Sequence, residues 1–257
     1  MNNREKIIAA FQDIKRRGFI PSHRTHDTGI GKTFEDLIGI IENNERRPDL
    51  NGYEIKTKRE TSTSYSTLFT KSPSYPKRAN AYLRDRYGEV YEEFPGLKKI
   101  HTSIFAHQGN SCYGVHSFRL VNDRDCRRIA IAISSLQTGE ILDNAIYYTY
   151  DDIEYALNNK LDKLLFVFAD TAIQNGQEHF HYKRAEIYEN PSLENFLGMV
   201  DEGKIMYDIR IGSYKNPAKR NYGKPHDHGS GFRIRPVDLT SLYACLLYTS
   251  DAADDMQ

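Results

Sequence analysis

A chain of 257 residues, 39% hydrophobic and 27% charged, is long enough to bury a sizeable core and too apolar to remain disordered. No apolar run approaches the roughly 20 residues that span a bilayer, and the opening Met-Asn-Asn-Arg-Glu-Lys lacks the core of a signal peptide. The three cysteines, at 112, 126 and 245, have no metal-knuckle spacing, so a soluble protein of the reduced cytoplasm is expected. The formal net charge of zero hides local bias, with eight Lys/Arg against two acids between Lys204 and Arg235, and ten against five between Glu45 and Arg86. Such stripes set the field that a phosphate backbone feels.

Ile7, Ile8, Phe11 and Ile14 recur at helical spacing and predict an opening amphipathic helix. Gly29-Ile30-Gly31 should break the chain before a second helix on Phe34, Leu37, Ile38 and Ile41, with Thr33 as its N-cap. After Pro48 the period becomes two, with Tyr53, Ile55 and Thr57 facing one way and Glu54, Lys56 and Lys58 the other. A helix is expected over 78–93, strands at 98–106, 116–121 and 128–134, and strand, helix, strand over 146–171. Strands at 178–188 and 205–211 flank a helix from about 191, and the Gly/Pro/His-rich stretch 212–231 should be a long loop. The mixture predicts an α/β domain with a mixed sheet.

The chemistry concentrates in Pro48-Asp49-Leu50-Asn51-Gly52-Tyr53-Glu54-Ile55-Lys56. Hydrolysis of a phosphodiester calls for a hard cation with open positions, and carboxylate oxygens are its preferred ligands. Glu54 and Lys56, two apart on one strand, project from the same face, and the Asn51-Gly52 turn can bring Asp49 towards them. That would make a two-carboxylate metal site beside an ammonium. Asp-x-x-x-x-Glu-x-Lys also arises on ordinary solvated strands. Glu35, on the flank of the preceding helix, is either a further acid of the site or a surface glutamate.

Gly29-Ile30-Gly31-Lys32-Thr33 is not a P-loop, because the required earlier glycine is replaced by His26. His179 and His181 read as a plain strand face rather than a zinc site. Asp208 and Arg210 share a strand face and could read a C·G pair, with a salt bridge as the alternative. His226 and His228, beside Arg233 and Arg235 in a Gly-rich loop, suit groove contact, and Lys215, Lys219, Arg220 and Lys224 suit phosphates.

The runs Gly29–Glu35, Pro48-Asp49 and Glu54–Thr57 together resemble the MutH-like branch of the PD-(D/E)XK nucleases, and Pro225-His226-Asp227-His228-Gly229-Ser230-Gly231-Phe232-Arg233 resembles the MvaI/BcnI restriction endonucleases. The resemblance runs from about residue 20 to residue 235. It implies a PD-(D/E)XK core in two lobes around a DNA cleft. It also implies a monomeric type II enzyme that uses Mg²⁺ to cut a C/G-rich site of CCNGG type, read as CCWGG. Asp49, Glu54 and Lys56 match the catalytic triad (Asp49 and Glu54 as metal ligands), and Glu35 matches the helix acid. Base reading falls to Asp208, Arg210, His226, His228 and Arg233. Double-stranded DNA and a cognate DNA methyltransferase are the implied partners. Residues 1–170 should be mainly catalytic and 171–244 mainly DNA-recognising. A mismatch-repair nicking enzyme and a non-catalytic DNA-binding protein stay open as alternatives.

The last thirteen residues stand apart, because Cys245 to Asp255 resembles the translation of a sequencing-library transposon end. Residues 245–257 are therefore expected to be foreign. Without their three acids the charge is 35 − 32 = +3.

Overall fold

A computed structural model describes residues 2–39 and 52–249. In chain order these form α1 (Asn3–Arg16), β1 (Ile20–Pro21), α2 (Gly29–Leu37), β2 (Glu54–Arg59), β3 (Ser66–Thr70), α3 (Ala79–Tyr87), β4 (Glu89–Val90) and β5 (Lys98–Ile104). There follow β6 (His116–Asp123), β7 (Arg128–Ser135), β8 (Ile141–Thr149), α4 (Tyr150–Lys160), β9 (Lys163–Gln174) and β10 (Gln177–Pro191). The chain continues through α5 (Leu193–Asp201), β11 (Ile205–Ser213), β12 (Pro225–Asp227), β13 (Gly231–Ile234), a 3-10 helix (Pro236–Leu242) and β14 (Tyr243–Thr249). No helix among the described residues is long and apolar enough to cross a membrane.

The described residues divide into two compact units, each discontinuous in sequence: those within 1–64, 157–192 and 243–257 form one, and residues 65–156 and 193–242 the other. The expected break after residue 170 would fall inside β9. Strand pairing explains the difference, because β9 pairs with both β2 and β10 and so holds 157–192 to the N-terminal segment.

The first unit is built on a mixed sheet in the order β1-β10-β9-β2, with β14 also on β10. Among the described residues only β2 and β9 run parallel, Glu54 opposite Leu164 and Lys56 opposite Phe166. One sheet face is covered by α1 and α2, whose Ile7, Phe11, Ile14, Ile30 and Phe34 pack with Tyr53, Ile55, Leu165 and Val167. Each such buried side chain contributes about 1.5–3 kcal/mol. A capping box fixes the start of α1: Asn2 accepts from the Glu5 N–H while the Glu5 carboxylate accepts from Asn2.

Gly29-Ile30-Gly31 does not break the chain; it forms the first turn of α2. Gly29 is needed for close approach instead, while Gly31 is not. A Cβ on Gly29 would lie 2.4 Å from the Arg24 carbonyl oxygen, and one on Gly31 would touch Thr57 Oγ1 at 3.4 Å. Thr33 is therefore not the N-cap but a buried residue of the helix, its hydroxyl accepting from the His23 N–H at 2.9 Å. The expected helix over 78–93 stops at Tyr87, where Gly88 is wedged against the Arg84 and Lys99 carbonyls and β4 follows.

The second unit carries an antiparallel sheet in the order β3-β13-β11-β5-β4, with β12 on β11, and a meander β6-β7-β8. The strands at 98–106, 116–121, 128–134 and 205–211 are thus present, while β3, β12 and β13 went unread because each is short. The residues set aside as foreign enter the first sheet, Cys245 opposite Glu189 and Leu246 opposite Tyr188. The edge of β10 offers unpaired N–H and C=O groups that almost any extended segment can meet.

Candidate active site and nucleic-acid interface

Period-two geometry sends Tyr53 and Ile55 into the core and leaves Glu54 and Lys56 together on the opposite face of β2. Lys56 Nζ donates to Glu54 Oε1 at 3.1 Å, and both side chains are largely buried. The other carboxylate oxygen, Oε2, is buried with no hydrogen-bond donor. A second ammonium, that of Lys160 at the end of α4, stands 3.6 Å from it. Tyr243 is buried nearby, its phenol pushed well up chiefly by burial and further by the Glu54 carboxylate, and it donates to the Leu161 carbonyl at 3.1 Å. A buried carboxylate oxygen with no hydrogen-bond donor, held only by an ion pair at 3.6 Å, fits a hard-cation ligand, since a directly bound cation would satisfy it more fully.

Asp49, the other expected ligand, lies outside the described residues. Among the described residues no group of three or more His, Cys, Asp or Glu could hold a metal. Glu35 is half-buried on α2, the helix whose Gly31 abuts Thr57 of β2.

In the second unit β11 pairs with β5 so that Asp208 faces Ser103 and Arg210 faces His101. Asp208 is only 2% exposed. Its Oδ1 accepts from Ser103 Oγ at 2.9 Å, and its Oδ2 accepts from Arg210 Nε at 2.6 Å. Arg233 Nε lies 2.9 Å from the same Oδ2, an ion pair whose N–H is not aligned for a hydrogen bond. Its Nη2 donates to the Gly229 carbonyl at 3.3 Å. The Arg210 side chain, by contrast, is 52% exposed. A buried carboxylate thus anchors one outward-facing guanidinium and a second, more enclosed one.

The loop expected over 212–231 is partly ordered as β12, and Asp227 fastens it. Its Oδ1 accepts from the N–H groups of Gly229 and Ser230, and its Oδ2 accepts from Asn80 Nδ2 at 2.6 Å. His226 stacks on Tyr214 at 4.2 Å between ring centroids and meets His228 at 4.1 Å. His101, Lys215 and Lys219 join them around a cavity of about 640 Å³. Burial lowers the pKa of His101 and of His228, helped by neighbouring imidazoles and cations. The Lys215 ammonium lies 4.0 Å from the Tyr91 ring centroid. Arg220 and Lys224 are exposed on the same segment.

The structure therefore gathers Glu54 with Lys56, Asp208 with Arg210 and Arg233, and His226 and His228 with Lys215 and Lys219. Sequence reasoning missed Lys160, His101, Ser103 and Tyr214. For His101 and Ser103 a signal existed, since they alternate on a predicted strand, but the partner strand was unknown. Nothing in the spacing linked Lys160 to Glu54.

Comparison with known proteins identifies the family. The model of the MvaI/BcnI restriction endonuclease family matches residues 8–243. The solved complex of restriction endonuclease MvaI with cognate DNA has a TM-score of 0.84 and 30% sequence identity, covering 96% of this chain and 99% of that one. MvaI in the absence of DNA has a TM-score of 0.65 and 30% identity, covering 96% and 97% of the two chains. No curated protein matches. The chain belongs to the MvaI/BcnI restriction endonuclease family and is a site-specific, DNA-binding deoxyribonuclease of that kind.

Proposed function

We propose that this chain is a type II enzyme that cuts duplex DNA with Mg²⁺ at a CCNGG-type site, read as CCWGG, one strand at a time and as a monomer. The observation that carries the reading is Glu54, a largely buried carboxylate with one oxygen lacking a hydrogen-bond donor and the other held by Lys56. Asp49 and Glu54 would hold the cation, with Glu35 of α2 as the helix acid of the motif. When bound, the cation supplies a water of lowered pKa and offsets charge on the phosphate. Lys56, fixed by Glu54 Oε1, is placed to orient the attacking water and to stabilise charge developing on phosphate oxygens.

Reading of the site is assigned to Arg210 and Arg233, aligned by Asp208, and to His226 and His228. Lys215, Lys219, Arg220 and Lys224 hold phosphates. A chain with one Asp49/Glu54/Lys56 set and no internal repeat hydrolyses one strand per docking. Such an enzyme works in the cytoplasm, beside a DNA methyltransferase that protects the same sites.

The test is supercoiled plasmid with purified protein and Mg²⁺, with EDTA as control. Cleavage at one sequence, passing through a nicked circle at a rate per site independent of protein concentration, supports the reading. Direct, concentration-dependent conversion to linear DNA would overturn the monomer, and binding without cleavage would overturn the assigned centre. Asp49→Ala and Glu54→Gln should each lower cleavage by at least about a hundredfold while specific binding in Ca²⁺ persists.

A further inference from the structure

Glu54 is flanked by two ammonium groups where one would neutralise it. Lys56 takes Oε1 at hydrogen-bond distance, 3.1 Å. Lys160 faces Oε2 at 3.6 Å, too long for a hydrogen bond, so charge alone holds it there. The Lys160 side chain is 30% exposed and Glu54 12%, so the lysine has room to withdraw while the carboxylate does not. Lys160 ends α4, and favourable interaction with that helix terminus would be its ordinary role. A cation kept beside a buried, unbonded carboxylate oxygen has a second consequence.

Resting on the reading of Glu54 as a metal ligand, we propose that Lys160 is a positioning residue of the catalytic centre. Its ammonium occupies the coordinating side of Glu54 in the metal-free protein, and it must give up Oε2 before that oxygen can bind a divalent cation. Lys160 thereby weakens metal binding to the DNA-free protein. An incoming phosphate offers its ammonium another partner, so DNA releases Oε2 and couples substrate docking to metal uptake.

The experiment measures Mn²⁺ affinity of the DNA-free protein by calorimetry at low ionic strength for wild type, Lys160→Gln, Lys160→Arg and Glu54→Gln. Lys160→Gln should bind Mn²⁺ about three- to tenfold more tightly, because a unit positive charge beside the ligand has gone, and Lys160→Arg should stay near wild type. A lysine that only supports α4 would alter the thermal midpoint and leave Mn²⁺ affinity alone. Unchanged or weaker Mn²⁺ binding by Lys160→Gln, with binding still lost in Glu54→Gln, would overturn the role of Lys160. Mn²⁺ binding unaffected by Glu54→Gln would instead remove the metal-ligand reading, and this proposal with it.

Discussion

Arg210 donates its Nε proton to Asp208 Oδ2 at 2.6 Å, and among the described residues no partner takes its Nη groups. That pairing fixes the plane of a guanidinium with a side free for two parallel hydrogen bonds, the geometry that guanine O6 and N7 require. Arg210→Ala should cost about 1–3 kcal/mol at the cognate site and relax discrimination at one base pair. Lys219→Ala should weaken cognate and random DNA alike and flatten the salt dependence. Binding titrations on both DNAs at several salt concentrations distinguish the two; equal losses for Arg210→Ala would end its role as a reader.

Asp208→Asn should reduce specificity without removing any exposed group. The substitution leaves Arg210 and Arg233 without their shared anion and should cost about 2 kcal/mol of stability, less than for a fully enclosed pair because Arg210 is 52% exposed. Urea unfolding measures the stability, and competition between cognate and single-mismatch duplexes measures the specificity.

Acid should weaken the fold before the carboxylates titrate. His101 and His228 both have pKa values below the usual 6.5, chiefly through burial, with His226, Arg210, Lys99 and Lys215 reinforcing and Asp208 and Asp227 opposing. The unfolded chain then binds more protons as pH falls through 6.5, so this contribution is full above that pH and declines below it. Urea midpoints from pH 8 down to 5 should show the decline, and His101→Asn with His228→Asn should flatten it. An unchanged slope in the double variant would reject the assignment.

Two glycines in one helical turn should respond oppositely to alanine. Gly29→Ala sets a Cβ 2.4 Å from a backbone carbonyl and should destabilise by about 1–3 kcal/mol. Gly31→Ala meets only Thr57 Oγ1 at 3.4 Å, and the helix propensity gained should leave it neutral or up to about 1 kcal/mol more stable. Thermal unfolding of the two variants is the check.

The legible parts of the sequence were those governed by a local period. Glu54 and Lys56 share a face because strands alternate, and α1 follows from Ile7, Phe11 and Ile14. What depended on partners distant in sequence was not legible. Ser103 meets Asp208 across a strand pair joining residues 105 positions apart, and Lys160 reaches Glu54 only because β2 pairs in parallel with β9. The helix start at Gly29 was misread because close packing, rather than turn geometry, explains that glycine. Asp49 lies outside the described residues, so its place beside Glu54 rests on the motif alone.

The interleaving of the two units carries a consequence for how new specificities arise. The chain passes from one unit to the other at 64/65, 156/157, 192/193 and 242/243. No single cut liberates the segment bearing Asp208 and Arg210 as a transplantable cassette, because its strands pair with β5 and β3 from a separate stretch. Exchange of target preference between relatives by recombination would need two coordinated insertions. Gradual substitution at the surface around Arg210, Arg233 and His228 is the simpler evolutionary route, and a protein engineer faces the same choice.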